Sequence, residues 1–450
     1  MGIFDSMQNE QALPGKKSSN LRIRGIVRQN SKEVAEGKDK KDSGGGVLVW
    51  LCVGFLAFFI PAEYAVSPAL YTLWKALIVL VSSVSLVYLL ARLRISLRWV
   101  CFALFYLCLL VVSTLVSPES STSLSNVAYL FVKGAGFITF LECAFSFGPK
   151  LCTKAFLVVG VVVGCVHLAS FFAYGDVVGG MRHGWIEEAI GERSGTKQNW
   201  YFLTYDNASV FFFLPVIAAL WFYVKNFNRR VVLVFVPFAV VTVFMFVYKS
   251  SIAGMLAFAS FFLIAYLSAV FSSNRRAKKR ILTYRIAVIS GLVISCFVIF
   301  SVGGDIVEAV AGLFGKGADL SGRDYIWAQC LNYISKYPII GSGVQNSADA
   351  FLRIGQTHCH NLLLQIMYTG GIVSLLFFLI GVATCSPKAK RNRDKQDSPF
   401  SGQLFAAAIL AFFIASSVDW SYNNPMSFIL FYFAFFCSFD LEDSRIDGGN

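Results

Sequence analysis

Four consecutive residues, His358-Cys359-His360-Asn361, open directly into an apolar run and supply the residue types from which proton transfer is built. A histidine at a helix N-terminus sits at the positive end of the helix dipole. That position disfavours imidazolium and keeps a neutral ring available as a general base. The competing reading of His360 is a capping or loop histidine at a membrane interface. Arg323 follows Ser321-Gly322, so its guanidinium and the free N–H groups of a helix start can face one anion. An ion pair with Asp319 or Asp324 is the alternative there. Arg193, with Ser194-Gly195-Thr196 behind it and Asp206-Asn207 further on, offers a second guanidinium, and Arg182, Lys197 and Lys249 are weaker cations of the same kind. His358 and Cys359 beside His360 raise the question of a metal. Three adjacent side chains do not converge on one centre without strain, and no fourth ligand cluster is visible, so neither metal nor other cofactor is expected.

The elements that must position these residues are membrane spans. Hydrophobic residues make up 56% of the 450, and the mean hydropathy is +0.63, more than a soluble core of that length requires. The net charge of +13 does not indicate nucleic acid, because the basic residues cluster in short segments between apolar runs. The eleven cysteines include no CxxC pair and no framework in a polar segment, so they read as small hydrophobes, not as disulfides or zinc ligands. Residues 1–46 form a basic tail of disordered character without a signal-peptide core, residues 47–439 the membrane domain, and residues 440–450 a second tail.

Apolar runs at 47–63, 69–91, 99–116, 127–147, 155–174, 207–224, 231–248, 252–271, 286–302, 361–384, 403–418 and 425–439 predict an all-α polytopic protein of about twelve spans. With the N-terminus inside, the inner segments hold 29 of the 39 Lys and Arg residues, which places both termini in the cytoplasm. Loops 175–206 and 303–360 are then outside. The second has structure of its own: Ser321 and Asp324 read as a capping box, Ile326, Trp327, Cys330, Leu331 and Ile334 recur at helical spacing, and Pro338 ends the pattern. The apolar stripe of this helix suits lipid or other outer helices equally. The longest inner connection, 272–285, follows the eighth span, unlike the arrangement of a transporter with two six-helix halves.

His360-Asn361-Leu362-Leu363-Leu364-Gln365, followed by Gly370-Gly371-Ile372-Val373-Ser374, resembles the histidine-plus-glycine signature of the O-antigen ligase and O-antigen polymerase superfamily. Ser321-Gly322-Arg323-Asp324-Tyr325-Ile326-Trp327, with Pro338-Ile339-Ile340-Gly341-Ser342-Gly343, resembles the segment before it in that family, and the loop around Arg193 is similar to the family's other long outer loop. Ser374 is a mild departure from the family's closing residue. The resemblance implies a metal-independent glycosyltransferase in the bacterial inner membrane, acting on an undecaprenyl-diphosphate-linked glycan donor and a glycan or lipid acceptor. It implies His360 as the base and Arg323 and Arg193 on the diphosphate; from the residues themselves, His358, Asn361, Arg182 and Lys249 are expected in support. The expected product is O-antigen, capsule or exopolysaccharide, with other polysaccharide-assembly proteins as candidate partners. Polymerase is preferred to ligase, and a transporter of solutes or lipid-linked oligosaccharide is the alternative from another class.

Overall fold

The computed structural model describes residues 44–59, 68–174, 206–248, 251–273, 282–300, 312, 322–387, 399–420 and 425–437. Arg182, Arg193, Lys197 and Lys249 lie outside the described residues, as do the tail 1–43 and most of the expected outer loops. Among the described residues every regular element is a helix. They are α1 (Gly44–Phe59), α2 (Pro68–Ala91), α3 (Leu97–Tyr106), α4 (Ser113–Val116), α5 (Leu124–Ser146), α6 (Pro149–Tyr174), α7 (Asp206–Asn226), α8 (Val232–Tyr248), α9 (Ile252–Ser273) and α10 (Tyr284–Phe300). After these come α11 (Arg323–Lys336), α12 (Ser347–Ile354), α13 (Leu362–Thr384), α14 (Pro399–Ser416) and α15 (Ile429–Phe436). The chain from Trp50 onward forms one compact unit.

Among the described residues the helices fall on the expected apolar runs, and eight are long and apolar enough to cross a membrane. Three more are apolar and shorter, namely α1, α10 and α14. The last run is a 3-10 turn, Pro425–Phe428, and the eight-residue α15. At ~1.5 Å per residue α15 rises about 12 Å, against about 30 Å of hydrocarbon. Its residues Ile429 to Ala434 are all buried. An uncharged apolar run reads alike whether lipid or protein surrounds it, and here protein does. Phe433 stacks on Phe405 of α14 at 5.4 Å, and Phe436 on Phe145 of α5 at 4.7 Å.

The foot of α3 is tied to α5 by a buried ion pair. Arg98 Nε and Nη2 donate to the two carboxylate oxygens of Glu142 at 2.9 and 2.6 Å. The guanidinium also lies 4.0 and 4.4 Å from the ring centroids of Phe435 and Phe436.

The glycine and proline motifs share one task. α13 is broken at Gly371, whose φ of 63° and ψ of −167° no side-chain-bearing residue adopts readily. The loop from Pro338 to Gly343 lies against the break. Ser342 and Gly343 N–H donate to the carbonyls of Tyr368 and Thr369 at 2.7 and 3.0 Å, and Ile372 and Val373 N–H donate to Pro338 and Ile339 at 2.9 and 3.3 Å. Backbone groups freed by a break inside a span need protein partners, and this loop supplies them. The approach excludes side chains: a Cβ on Gly371 would lie 2.3 Å from the Ile339 oxygen, and one on Gly341 2.5 Å from the Thr369 carbonyl carbon. On the other side Gly370 abuts Leu109, within a π-helical turn, Leu107–Val112, that joins α3 to α4.

The start of α11 departs from the expected capping box. Its N-cap is Gly322, at φ 83° with no side-chain cap bond, so the left-handed glycine starts the helix in place of Ser321. Its stripe faces protein: Ile326, Trp327 and Cys330 are buried with Ile354, Cys359, Leu364 and Tyr368. The loop is strapped to the turn after α4. There Arg353 pairs with Glu119 at 2.5 Å, Tyr337 Oη donates to Glu119 at 3.0 Å, and Ser120 Oγ donates to the Val344 carbonyl at 2.9 Å.

Candidate active site

The site is built where α13 begins and α14 ends. Asn361 is the N-cap of α13, its Oδ1 accepting from Leu363 and Leu364 N–H at 2.9 and 3.2 Å. Its amide nitrogen donates to the Ser417 carbonyl at 2.8 Å and to Ser295 Oγ of α10 at 3.3 Å. Asn361 thus spends its hydrogen-bonding groups on joining three helices, a positioning role. The residue before it carries the strain: His360 has φ of 53°, uncommon for a residue with a side chain. That turn sends His358 and His360 to one side, ring centroids 3.9 Å apart, while Cys359 between them enters the core. The two histidines therefore do converge, and the strain that argued against convergence is stored in the His360 backbone.

They converge on Asp419, just past α14. His360 Nδ1 lies 2.9 Å from Asp419 Oδ1, and His358 Nε2 lies 3.1 Å from the same oxygen. A carboxylate only accepts, so both facing nitrogens carry hydrogen and the tautomers are fixed. His358 Nδ1 is left to accept from Thr357 Oγ1 at 3.1 Å. His360 Nε2 is left with an open lone pair and no protein partner among the described residues. The His360 and Asp419 side chains are 17% and 13% exposed, which removes most water from them.

Burial lowers the His360 pKa to about 4, His358 and Arg323 push it the same way, and Asp419 opposes them. Burial is the largest cause keeping the ring neutral. Burial alone would raise the Asp419 carboxyl, but the two histidines beside it, through charge and hydrogen bonds, hold it well below the usual carboxylate range. At neutral pH the arrangement is a neutral imidazole whose far nitrogen is polarised by a carboxylate, the form a general base takes.

Arg323, the first residue of α11, is brought to the same place, its Nε donating to the Val418 carbonyl at 2.9 Å, one residue from Asp419. His358, His360, Asn361 and Arg323 are thus assembled, whereas Arg193, Arg182 and Lys249 lie outside the described residues. Asp419 was missed from sequence. Its only signal is an acid directly before Trp420 at the end of an apolar run, and acids carry little weight in assigning topology. By donor type, His358, His360 and Asp419 are also a trio able to hold a metal, their ligand atoms lying within 4.8 Å of one another. The same atoms satisfy one another by hydrogen bonds, and a cation on Nδ1 would displace the proton through which Asp419 orients the base.

The family model described as O-antigen ligase matches residues 237–379, from α8 into α13. That span includes Arg323, His358, His360 and Asn361 and stops forty positions short of Asp419. No curated protein and no solved structure matches the chain. The eight long apolar helices make this a multi-pass membrane protein. Residues 237–379, about a third of the chain, are thus similar to the O-antigen ligase family.

Proposed function

We propose that this protein polymerises undecaprenyl-diphosphate-linked repeat units into a surface polysaccharide on the outer face of the bacterial inner membrane. The observation that carries the reading is the bond from His360 Nδ1 to Asp419, which leaves the Nε2 lone pair without a partner among the described residues. The acceptor hydroxyl gives its proton to Nε2 as its oxygen attacks the anomeric carbon. The bond from that carbon to the diphosphate breaks, and the diphosphate leaves with the electron pair. Arg323 holds the developing charge, and Arg193 is its proposed partner. Cations fixed in a mostly dry site stabilise that charge without a metal, and the donor needs no further activation. The distribution of Lys and Arg supports a topology with this site outside and the N-terminus inside.

Ligase is the second reading, favoured by the description of the matching family; the acceptor would then be a lipid or another non-repeat acceptor. Glycan from a strain lacking the gene separates the two. Loss of long chains on the carrier indicates polymerase, whereas long chains accumulating unattached on the carrier indicate ligase. Arg323→Ala is expected to weaken binding of the lipid-linked donor, and unchanged binding would remove the diphosphate clamp. A transporter would show flux in vesicles that survives changes at both His360 and Arg323.

A further inference from the structure

Outside the proton-transfer groups, one other reactive pair lies in this region. Cys330 and Cys359 are both fully buried free thiols and share one cluster with Trp327, Ile354 and Tyr368. The pairing is built from two sides. Trp327, one turn before Cys330 on α11, donates its indole N–H to the Cys359 carbonyl at 2.9 Å. The Cys359 N–H in turn donates to Gln365 Oε1 of α13 at 2.8 Å. Cys359 is therefore held by its backbone on both sides, with its side chain directed at α11. Its neighbours His358 and His360 face the opposite way, towards Asp419.

We propose that Cys330 and Cys359 form a disulfide that fixes the helix bearing Arg323 to the turn bearing His358 and His360. The proposal rests on the reading that this loop is outside the inner membrane, where thiols meet disulfide oxidants. One thiolate attacks a sulfur of an external protein disulfide of the oxidoreductase class, giving a mixed disulfide and releasing one thiol of the oxidant. The second thiolate then attacks the mixed disulfide, forming the internal bond and releasing the other thiol. Two protons leave the cysteines, and two electrons pass to the external disulfide. Because both sulfurs are enclosed in the folded loop, this exchange belongs to folding, before α11 docks on α13. The bond restricts the unfolded loop and leaves the site's own groups untouched.

The test takes full-length protein from membranes prepared without reductant, alkylates it in denaturant, and maps its peptides by mass before and after reduction. The expected result is a Cys330–Cys359 crosslinked peptide in most chains, the two alkylated peptides appearing only after reduction. Cys330→Ser should free Cys359 for alkylation and abolish the downward shift in unfolding temperature that reductant causes in the parent protein. Complete alkylation of both thiols without reductant overturns the inference, as does a crosslink between other cysteines. The side of the loop is read separately, by labelling a Lys336→Cys variant in intact cells with a membrane-impermeant maleimide. Labelling only after lysis overturns the proposed outer-face function, whatever the peptide map shows.

Discussion

Two ionisable clusters among the described residues, one at the foot of α3 and one at the start of α13, differ in what they leave unspent. At the foot of α3, Arg98 and Glu142 satisfy each other in a two-pronged bond, 9% and 7% exposed, with Phe435 and Phe436 against the guanidinium. At the start of α13, Asp419 takes a hydrogen bond from each of two histidines, at 13% exposure against 17% and 18%, and one ring nitrogen remains open. The first joins helices and has no surface to offer a substrate. The second is strained at His360, slightly open, and has one base position without a protein partner among the described residues. A charged cluster in a membrane protein is thus read by its remaining valence as well as by its burial.

The strongest way to break that comparison is His360→Ala. Loss of a general base costs about 10²- to 10⁴-fold in rate, and the fold should survive because Asn361 still caps α13. Glycan synthesis by the purified variant, set beside its unfolding temperature, reads both. Wild-type rate in a folded variant would reduce the His–Asp cluster to a second structural clamp. The reverse signature is expected of Glu142→Ala. Leaving Arg98 buried without its partner costs on the order of 3–5 kcal/mol, measured as loss of folded protein in detergent. The paired change Arg98→Met with Glu142→Leu should recover most of that, since what is costly is one charge without the other. A double variant that folds but makes no glycan would show that the Arg98–Glu142 pair does more than hold helices.

Gly371→Ala tests the scaffold between the two regions. The backbone there is held in a conformation that costs about 1–3 kcal/mol for a residue with a side chain, and the new Cβ would press on the Ile339 oxygen. A lowered unfolding temperature with partial loss of activity is the expected outcome. Unchanged values for both would mean that the loop from Pro338 to Gly343 need not seat against α13.

Much of this was legible in the chain because periodicity and charge report local facts. The positions of the apolar helices, the end of α11 before Pro338, and the grouping of His358, His360 and Arg323 all follow from residues close in sequence or from a motif spanning them. What was not legible depends on distant pairing. α15 looks like a span because its surroundings, not its composition, make it a core helix. Asp419 joins the histidines only because α14 packs beside α10 and Asn361 ties its end to α13. The glycines of α13 are visible as a motif, but their reason is a loop some thirty residues earlier.

The smallest effect, and the sharpest, is on pH dependence. If His360 is the proposed base it acts as the neutral ring, so activity should be flat through neutrality and fall only as pH drops through its pKa, about 4 in the free protein. Asp419 raises that pKa by charge and hydrogen bond, so Asp419→Asn should move the acid limb of kcat/KM to lower pH while also lowering the plateau, since the variant no longer orients Nδ1–H with a charge. A bound diphosphate adds negative charge beside the ring and favours imidazolium. The acid limb of kcat, which reports the substrate complex, should therefore lie at higher pH than that of kcat/KM, which reports the free enzyme. A rate profile with coincident limbs would mean that the diphosphate does not bind next to His360. An acid limb unmoved by Asp419→Asn would detach the carboxylate from the proposed base, leaving the His–Asp cluster no different in kind from the Arg98–Glu142 pair.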